Sequence, residues 1–97
     1  MSKITIVAKL LAKKDSLETV KAELLKMLAP TKKEQGCIEY RLHQDNEKPD
    51  QFVFYENWEN MECLQQHIES QHYKDYIAAV DGLIVEKTVN QMNEIEK

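Results

Sequence analysis

The stretch FVFYENWENMECLQQHIESQHY, Phe52 to Tyr73, sets a Glu, a Trp and two imidazoles, Glu56, Trp58, His67 and His72, along one strand-to-helix unit. Written as spacing, the stretch reads F-x-F-Y-E-x-W, five residues, then L-x-x-H-x-x-S-x-H-Y. Side chains on a strand repeat every second position, so Phe52, Phe54, Glu56 and Trp58 share one side. If that side faces the interior, Glu56 is an acid among aromatic rings. Burial without a cation raises the pKa of such a group and fits it to carry a proton near neutrality. The plainer reading pairs Glu56 with Arg41 or with a backbone group near the strand end. His67 lies between the apolar positions Leu64 and Ile68, where a histidine is ordinarily half-exposed or a satisfied core residue. His72 follows Ser70, a capping type, at a helix start. There the positive end of the dipole favours a neutral ring that accepts a proton.

Other chemistries are poorly supplied. Cys63 and His67 stand four apart on one helix face, a workable metal-ligand pair, and His72 is an available third. Nothing supplies a fourth ligand at a recognisable spacing, so no metal is expected. Two glycines are too few for a phosphate-cradling loop, and no Ser-His-Asp or Cys-His arrangement can be named.

These residues must be positioned by alternating elements. Lys3 to Leu11 reads as a strand with Ile4, Ile6 and Ala8 on one side and Val7 and Leu11 on the other. Asp15 or Ser16, with Glu18 close behind, offers a helix start, and Leu17, Val20, Leu24 and Met27/Leu28 build its apolar face. Pro30 should kink or end that helix, and Gly36 should stop any continuation. Cys37 to Gln44 is a second strand, with Ile38, Tyr40 and Leu42 on one side and Glu39, Arg41 and His43 on the other. The turn formers Asp45 to Asp50 make a hairpin into a third strand, Gln51 to Trp58. Asn60 caps a short helix with Met61, Leu64 and Ile68, and Ser70 caps another with Tyr73, Ile77 and Val80 inward. Gly82 ends it, and Leu83 to about Met92 is the last strand. The polar tail from Asn93 is expected to be frayed or docked on a partner.

The order β-α-β-β-α-β is that of an α+β, ferredoxin-like sandwich: four antiparallel strands with the helices on one face. The other face should be polar if it meets water. Here Val53 and Tyr55 oppose Phe52 and Phe54, and Val7 opposes Ile6, so a C2 homodimer formed through the bare sheet is expected.

Ninety-seven residues suit a single domain, 1–97, that buries roughly 60–65% of its unfolded surface. Thirteen Lys and Arg against 17 Asp and Glu give a net charge of −4, with no basic stripe. Nucleic-acid binding, which rests on clustered cations, is therefore not expected. No apolar run reaches the ~20 residues that span a bilayer, and the start lacks a secretory leader pattern. A cytoplasmic protein is expected, with Cys37 and Cys63 serving as small hydrophobes rather than as a disulfide or redox pair.

Three segments, E-Q-G-C-x-x-Y from Glu34 to Tyr40, F-Y-E-x-W from Phe54 to Trp58 and L-x-x-H-x-x-S-x-H-Y from Leu64 to Tyr73, resemble the antibiotic-biosynthesis monooxygenase family. Its members are small dimeric α/β barrels that include quinol monooxygenases, anthrone oxygenases and an autoinducer-processing isomerase. The resemblance covers nearly the whole chain. It implies oxidation of an electron-rich, quinol- or polyphenol-like aromatic by O₂ with no metal or flavin cofactor. On that pattern His67, His72 and Glu56 are the catalytic residues that transfer protons, and Trp58, Tyr40, Phe54 and Tyr73 form a substrate-binding wall. The sequence departs from the polyketide-tailoring members, with Phe54 where they carry Asn and Leu64 where they carry Tyr. It departs from haem-degrading relatives too, with His67 at their Trp, Ile77 at their His and no Asn in the first strand. Two other readings use the same pocket. One is an isomerase of a small hydroxy-ketone or sugar-phosphate-like compound, with the histidines as acid and base. That reading calls for a cation in the cavity, and the only arginine, Arg41, alternates away from Tyr40. The other is a non-catalytic binding or stress protein, favoured if side chains fill the pocket or both histidines face solvent.

Overall fold

The computed structural model describes residues 3–96. Strand β1 (Ile4–Ala12) and a 3₁₀ turn (Lys14–Ser16) lead into helices α1 (Leu17–Lys26) and α2 (Leu28–Lys32). The hairpin β2 (Cys37–Gln44) and β3 (Gln51–Trp58) follows. Helices α3 (Met61–Ile68) and α4 (Gln71–Ala79) precede β4 (Ile84–Met92). The strands form one antiparallel sheet in the order β2-β3-β1-β4, the expected α+β, ferredoxin-like arrangement.

The period-two pattern of β1 buries Ile6, Ala8, Leu10 and Ala12 on the helix side, together with Phe52, Phe54, Glu56 and Trp58 of β3. Val20, Leu24 and Met27 close the core from α1 and the turn after it. The helix breaks at Met27, ahead of Pro30, which sits inside α2. Pro30 cannot donate to the carbonyl four residues back, at Lys26, so the i→i−4 ladder is interrupted there, and the proline is tolerated in the first turn of the next helix. Neither Asp15 nor Ser16 caps α1; the 3₁₀ turn leads into it instead. The other caps form as expected: Asn60 Oδ1 accepts from Cys63 N at 2.9 Å, and Ser70 Oγ accepts from Tyr73 N at 3.3 Å.

Two face assignments are corrected. Ile38 is 48% exposed rather than aligned with buried Tyr40, because the β2–β3 register shifts between Cys37 and Glu39. The inward stripe of α4 runs Tyr73, Tyr76, Val80, which rotates Ile77 to an exposed flank.

Gly36, at φ 83°, makes the turn into β2 where its backbone lies against Cys63. A Cβ there would collide with the Cys63 Sγ and sit 2.6 Å from its Cβ. The outward sheet face mixes half-buried Val7, Leu11 and Val53 with a polar chain. Thr5 Oγ1 donates to Asn57 Oδ1 and Asn57 Nδ2 to Glu39 Oε1, both at 2.6 Å, and Arg41 pairs with Glu39 at 3.2 Å. The tail is tied at its start, where Asn93 Nδ2 donates to the Lys3 carbonyl at 3.0 Å. Among the described residues no helix is long and apolar enough to cross a membrane.

Candidate active site

A cavity of ≈ 70 Å³ lies between the sheet and helices α3 and α4. Ile6, Ala8 and Phe54 line it from the sheet, and Leu64, Tyr73 and Tyr76 from the helices. At its mouth Ile68 and Val89 remain exposed. Polar groups enter this apolar space at few points, chiefly Glu56, His67 and Lys87.

Glu56 reaches the cavity from β3 because strand alternation turns it inward with the aromatics. Its Oε1 accepts from Trp58 Nε1 at 2.9 Å. Burial pushes its carboxyl from an ordinary 4.5 up to about 7, while the Trp58 hydrogen bond pulls the other way. The expected partner Arg41 is instead on the opposite face with Glu39.

His67, only 2% exposed, is held by α3 against the Trp58 ring at 4.7 Å and edge-on to Tyr73 at 5.1 Å. Its Nδ1 lies 2.7 Å from Glu34 Oε2. A carboxylate can only accept, so the neutral ring carries its proton on Nδ1 and leaves Nε2 as a basic nitrogen. Burial lowers the pKa of His67, and Glu34 opposes that shift. His72 places Nε2 2.7 Å from the same Glu34 oxygen, on the solvent side. One carboxylate oxygen thus joins a buried imidazole to a half-buried one.

The tyrosines around the cavity are phenols at any ordinary pH. Burial pushes Tyr40, Tyr73 and Tyr76 above their usual range, and the Glu56 charge adds to each shift. Lys87 extends from β4 with its Nζ 5.5 Å from the Tyr76 ring centroid and 6.0 Å from that of Tyr73. Burial lowers its pKa.

Glu56, His67, Tyr40, Phe54 and Tyr73 therefore share the cavity wall, whereas Trp58 and His72 do not reach it. Trp58 is fully buried behind His67, and His72 stands beyond Glu34. Sequence reasoning singled out neither Glu34, Tyr76 nor Lys87 for a role; the acid at the head of E-Q-G-C-x-x-Y was the available signal for Glu34. The metal-capable cluster also differs from the expected one. It is Glu34, His67 and His72, with ligand atoms within 4.8 Å of one another, and Cys63 lies outside it. Two histidines and one carboxylate suit a divalent ion. An ion there would have to displace both short hydrogen bonds and their protons.

A model of the family described as "Antibiotic biosynthesis monooxygenase" matches residues 3–79. The chain is 29% identical over 80 residues to "Probable quinol monooxygenase YgiN" of Escherichia coli, covering 74% of this chain and 77% of that one. It is 25% identical over 81 residues to sll1783 of Synechocystis sp., which covers 84% of this chain and 55% of that protein's length. The crystal structure of PA3566 from Pseudomonas aeruginosa superimposes with a TM-score of 0.94 at 25% identity, over 99% of this chain and 97% of that one.

Proposed function

Since the chain belongs to the antibiotic biosynthesis monooxygenase family, we propose that it oxidises a small, electron-rich, quinol-like aromatic with O₂, the substrate itself supplying the electrons. The observation that carries this reading is the pairing of His67 Nδ1 with Glu34 Oε2 at 2.7 Å, on a ring that lines the cavity. Ground-state oxygen reacts slowly with a closed-shell quinol but readily takes an electron from its anion. Nε2 of His67 removes the hydroxyl proton, and Glu34 stabilises the imidazolium that results. The quinolate passes one electron to O₂, the two radicals couple at a ring carbon, and the adduct loses water. Quinol and O₂ become hydroxyquinone and H₂O, with all four electrons drawn from the substrate. Glu56, held near neutrality by burial, returns a proton to the reduced oxygen. Trp58 keeps Glu56 in place, and His72, donating from Nε2 to the same Glu34 oxygen, holds that carboxylate against the imidazolium. Tyr40, Phe54 and Tyr73 are the wall against which the substrate ring packs.

Oxygen uptake by metal-stripped protein over a panel of reduced quinols tests this. Uptake above the autoxidation rate, lost in a folded His67→Ala variant and reduced in His72→Ala, is expected. No uptake across the panel, or uptake only on adding a divalent metal, refutes it. Lys87 favours a second reading, because an isomerase of an anionic hydroxy-ketone needs a cation in the cavity. Solvent-deuterium incorporation into such a ketone without oxygen uptake would select that reading.

The same proposal includes one domain over 1–97, a cytoplasmic location in which Cys37 and Cys63 stay reduced, and a homodimer. The half-buried Val7, Leu11 and Val53 of the outward sheet face support the dimer. Sedimentation as a monomer at micromolar concentration would refute it.

A further inference from the structure

Three cross-strand rows of the sheet face the helix layer around the cavity. Glu56, Ile6 and Gln91 form one, Phe54, Ala8 and Val89 the next, and Phe52, Leu10 and Lys87 the third. Glu56 and Lys87 are thus separated by four residues of strand, roughly 13 Å of backbone, with an apolar row between them. The cavity therefore has two poles. At one, His67 and Glu56 exchange protons; at the other stands an ammonium.

Among the described residues Lys87 is the only lysine or arginine in the cavity lining. Among the described residues it has no ion pair; the faces of Tyr73 and Tyr76 lie beside it, and the charge of Glu56, across the apolar row, favours its charged form. A partly desolvated ammonium with no ion pair is better satisfied by an anion that enters beside it. The space itself limits the rest of the ligand. At ≈ 70 Å³ the cavity is smaller than the roughly 150 Å³ hole that takes up benzene in an engineered core. A single ring enters only by occupying the mouth as well, where Val89 is 51% exposed and Ile68 is exposed beside it.

We propose that Lys87 forms an anion subsite, and that the cavity selects a one-ring hydroxylated aromatic carrying a carboxylate, its reacting hydroxyl at His67 and Glu56 and its carboxylate at Lys87. This rests on the cavity being the place where a hydroxylated aromatic binds. The family match ends at Ala79, so β4, which carries Lys87, Val89 and Gln91, lies outside the matched segment.

The test is titration calorimetry with two unreactive probes of nearly the same shape, 4-hydroxybenzoate and 4-hydroxybenzamide. The expected result is at least tenfold tighter binding of the benzoate. Lys87→Gln should abolish the preference while the benzamide affinity stays within about twofold, and Lys87→Arg should restore most of it. Melting curves establish that each variant is folded. Equal affinities in the parent protein, a preference that survives in Lys87→Gln, or binding of neither probe overturns the subsite. Because the readout consumes no oxygen, the two proposals fail separately. A Lys87-dependent preference in a protein that oxidises no quinol removes the oxygenase reading alone. Quinol oxidation without the preference removes the subsite alone.

Discussion

Glutamine in place of Glu56 tests the electrostatics of the cavity directly. The carboxyl is buried beside an indole N–H, with its pKa at about 7 against an ordinary 4.5. A carboxyl whose folded pKa lies above its unfolded value favours the fold fully below the unfolded value. That contribution is lost as pH rises through the folded one. Each tenfold change in proton affinity is worth about 1.4 kcal/mol, so ionising Glu56 should take roughly 3 kcal/mol from the stability of the native chain between pH 4.5 and 8. Glutamine keeps a carbonyl oxygen to accept from Trp58 Nε1 and never ionises. The stability of Glu56→Gln minus that of the parent should therefore be flat below pH 4.5 and climb by about 3 kcal/mol by pH 8. For a domain of this size that corresponds to a melting difference on the order of 10 °C. His67 contributes with the opposite sign. Burial lowers its folded pKa, so its contribution is present above its unfolded value and lost as pH falls. Both proteins carry His67, and the subtraction removes most of its effect. Urea denaturation at half-unit pH steps reads the difference curve. A difference that does not change between pH 5 and 8 would refute the desolvation of Glu56 and with it the acid assigned to the reduced oxygen.

Other perturbations separate chemistry from scaffold. Glu34→Gln removes the acceptor shared by two histidines. With a hydrogen bond to a charged group worth roughly 1.5–3 kcal/mol, oxygen uptake should fall about ten- to a hundredfold, and an unchanged rate would remove Glu34 from the mechanism. Gly36→Ala must place a Cβ at φ 83° against Cys63, and should cost roughly 3 kcal/mol in a denaturant melt. Gly82→Ala, at φ 78° with nothing within 4 Å, should cost only the backbone strain of about 1–2 kcal/mol. Equal losses at the two glycines would contradict the close approach of Gly36 to Cys63.

The fold was legible because its signals are local. Alternation in β1 and β3, the caps Asn60 and Ser70, and the turn chemistry at Asp45, whose Oδ1 accepts from Glu47 N and Lys48 N, all act within a few residues. The bulge that exposes Ile38 was not legible, since register is set by a partner strand and not by the strand's own pattern. The site divides the same way. Glu56 could be placed inward from strand period alone. Glu34 meets His67 and His72 from 33 and 38 residues away, and nothing short of the folded chain brings a loop acid between two helical imidazoles. Lys87 was hidden by its surroundings, because in the run Glu86 to Gln91 only Val89 is apolar and neither side of the strand stands out as inward.

That edge strand gives the protein an unusual division of labour. β4 pairs with β1 alone, and all but its first residue are exposed, yet it supplies three residues to the rim of the cavity. Replacements at exposed positions typically change stability by no more than about 0.5 kcal/mol. Glu56 and His67, in contrast, are locked into the packed interior with Trp58. On the proposed function, substrate preference can drift along β4, one side chain at a time, while Glu56, His67 and the fold that holds them stay as they are. A library confined to Lys87, Val89 and Gln91 would explore ligand range at little cost to the fold.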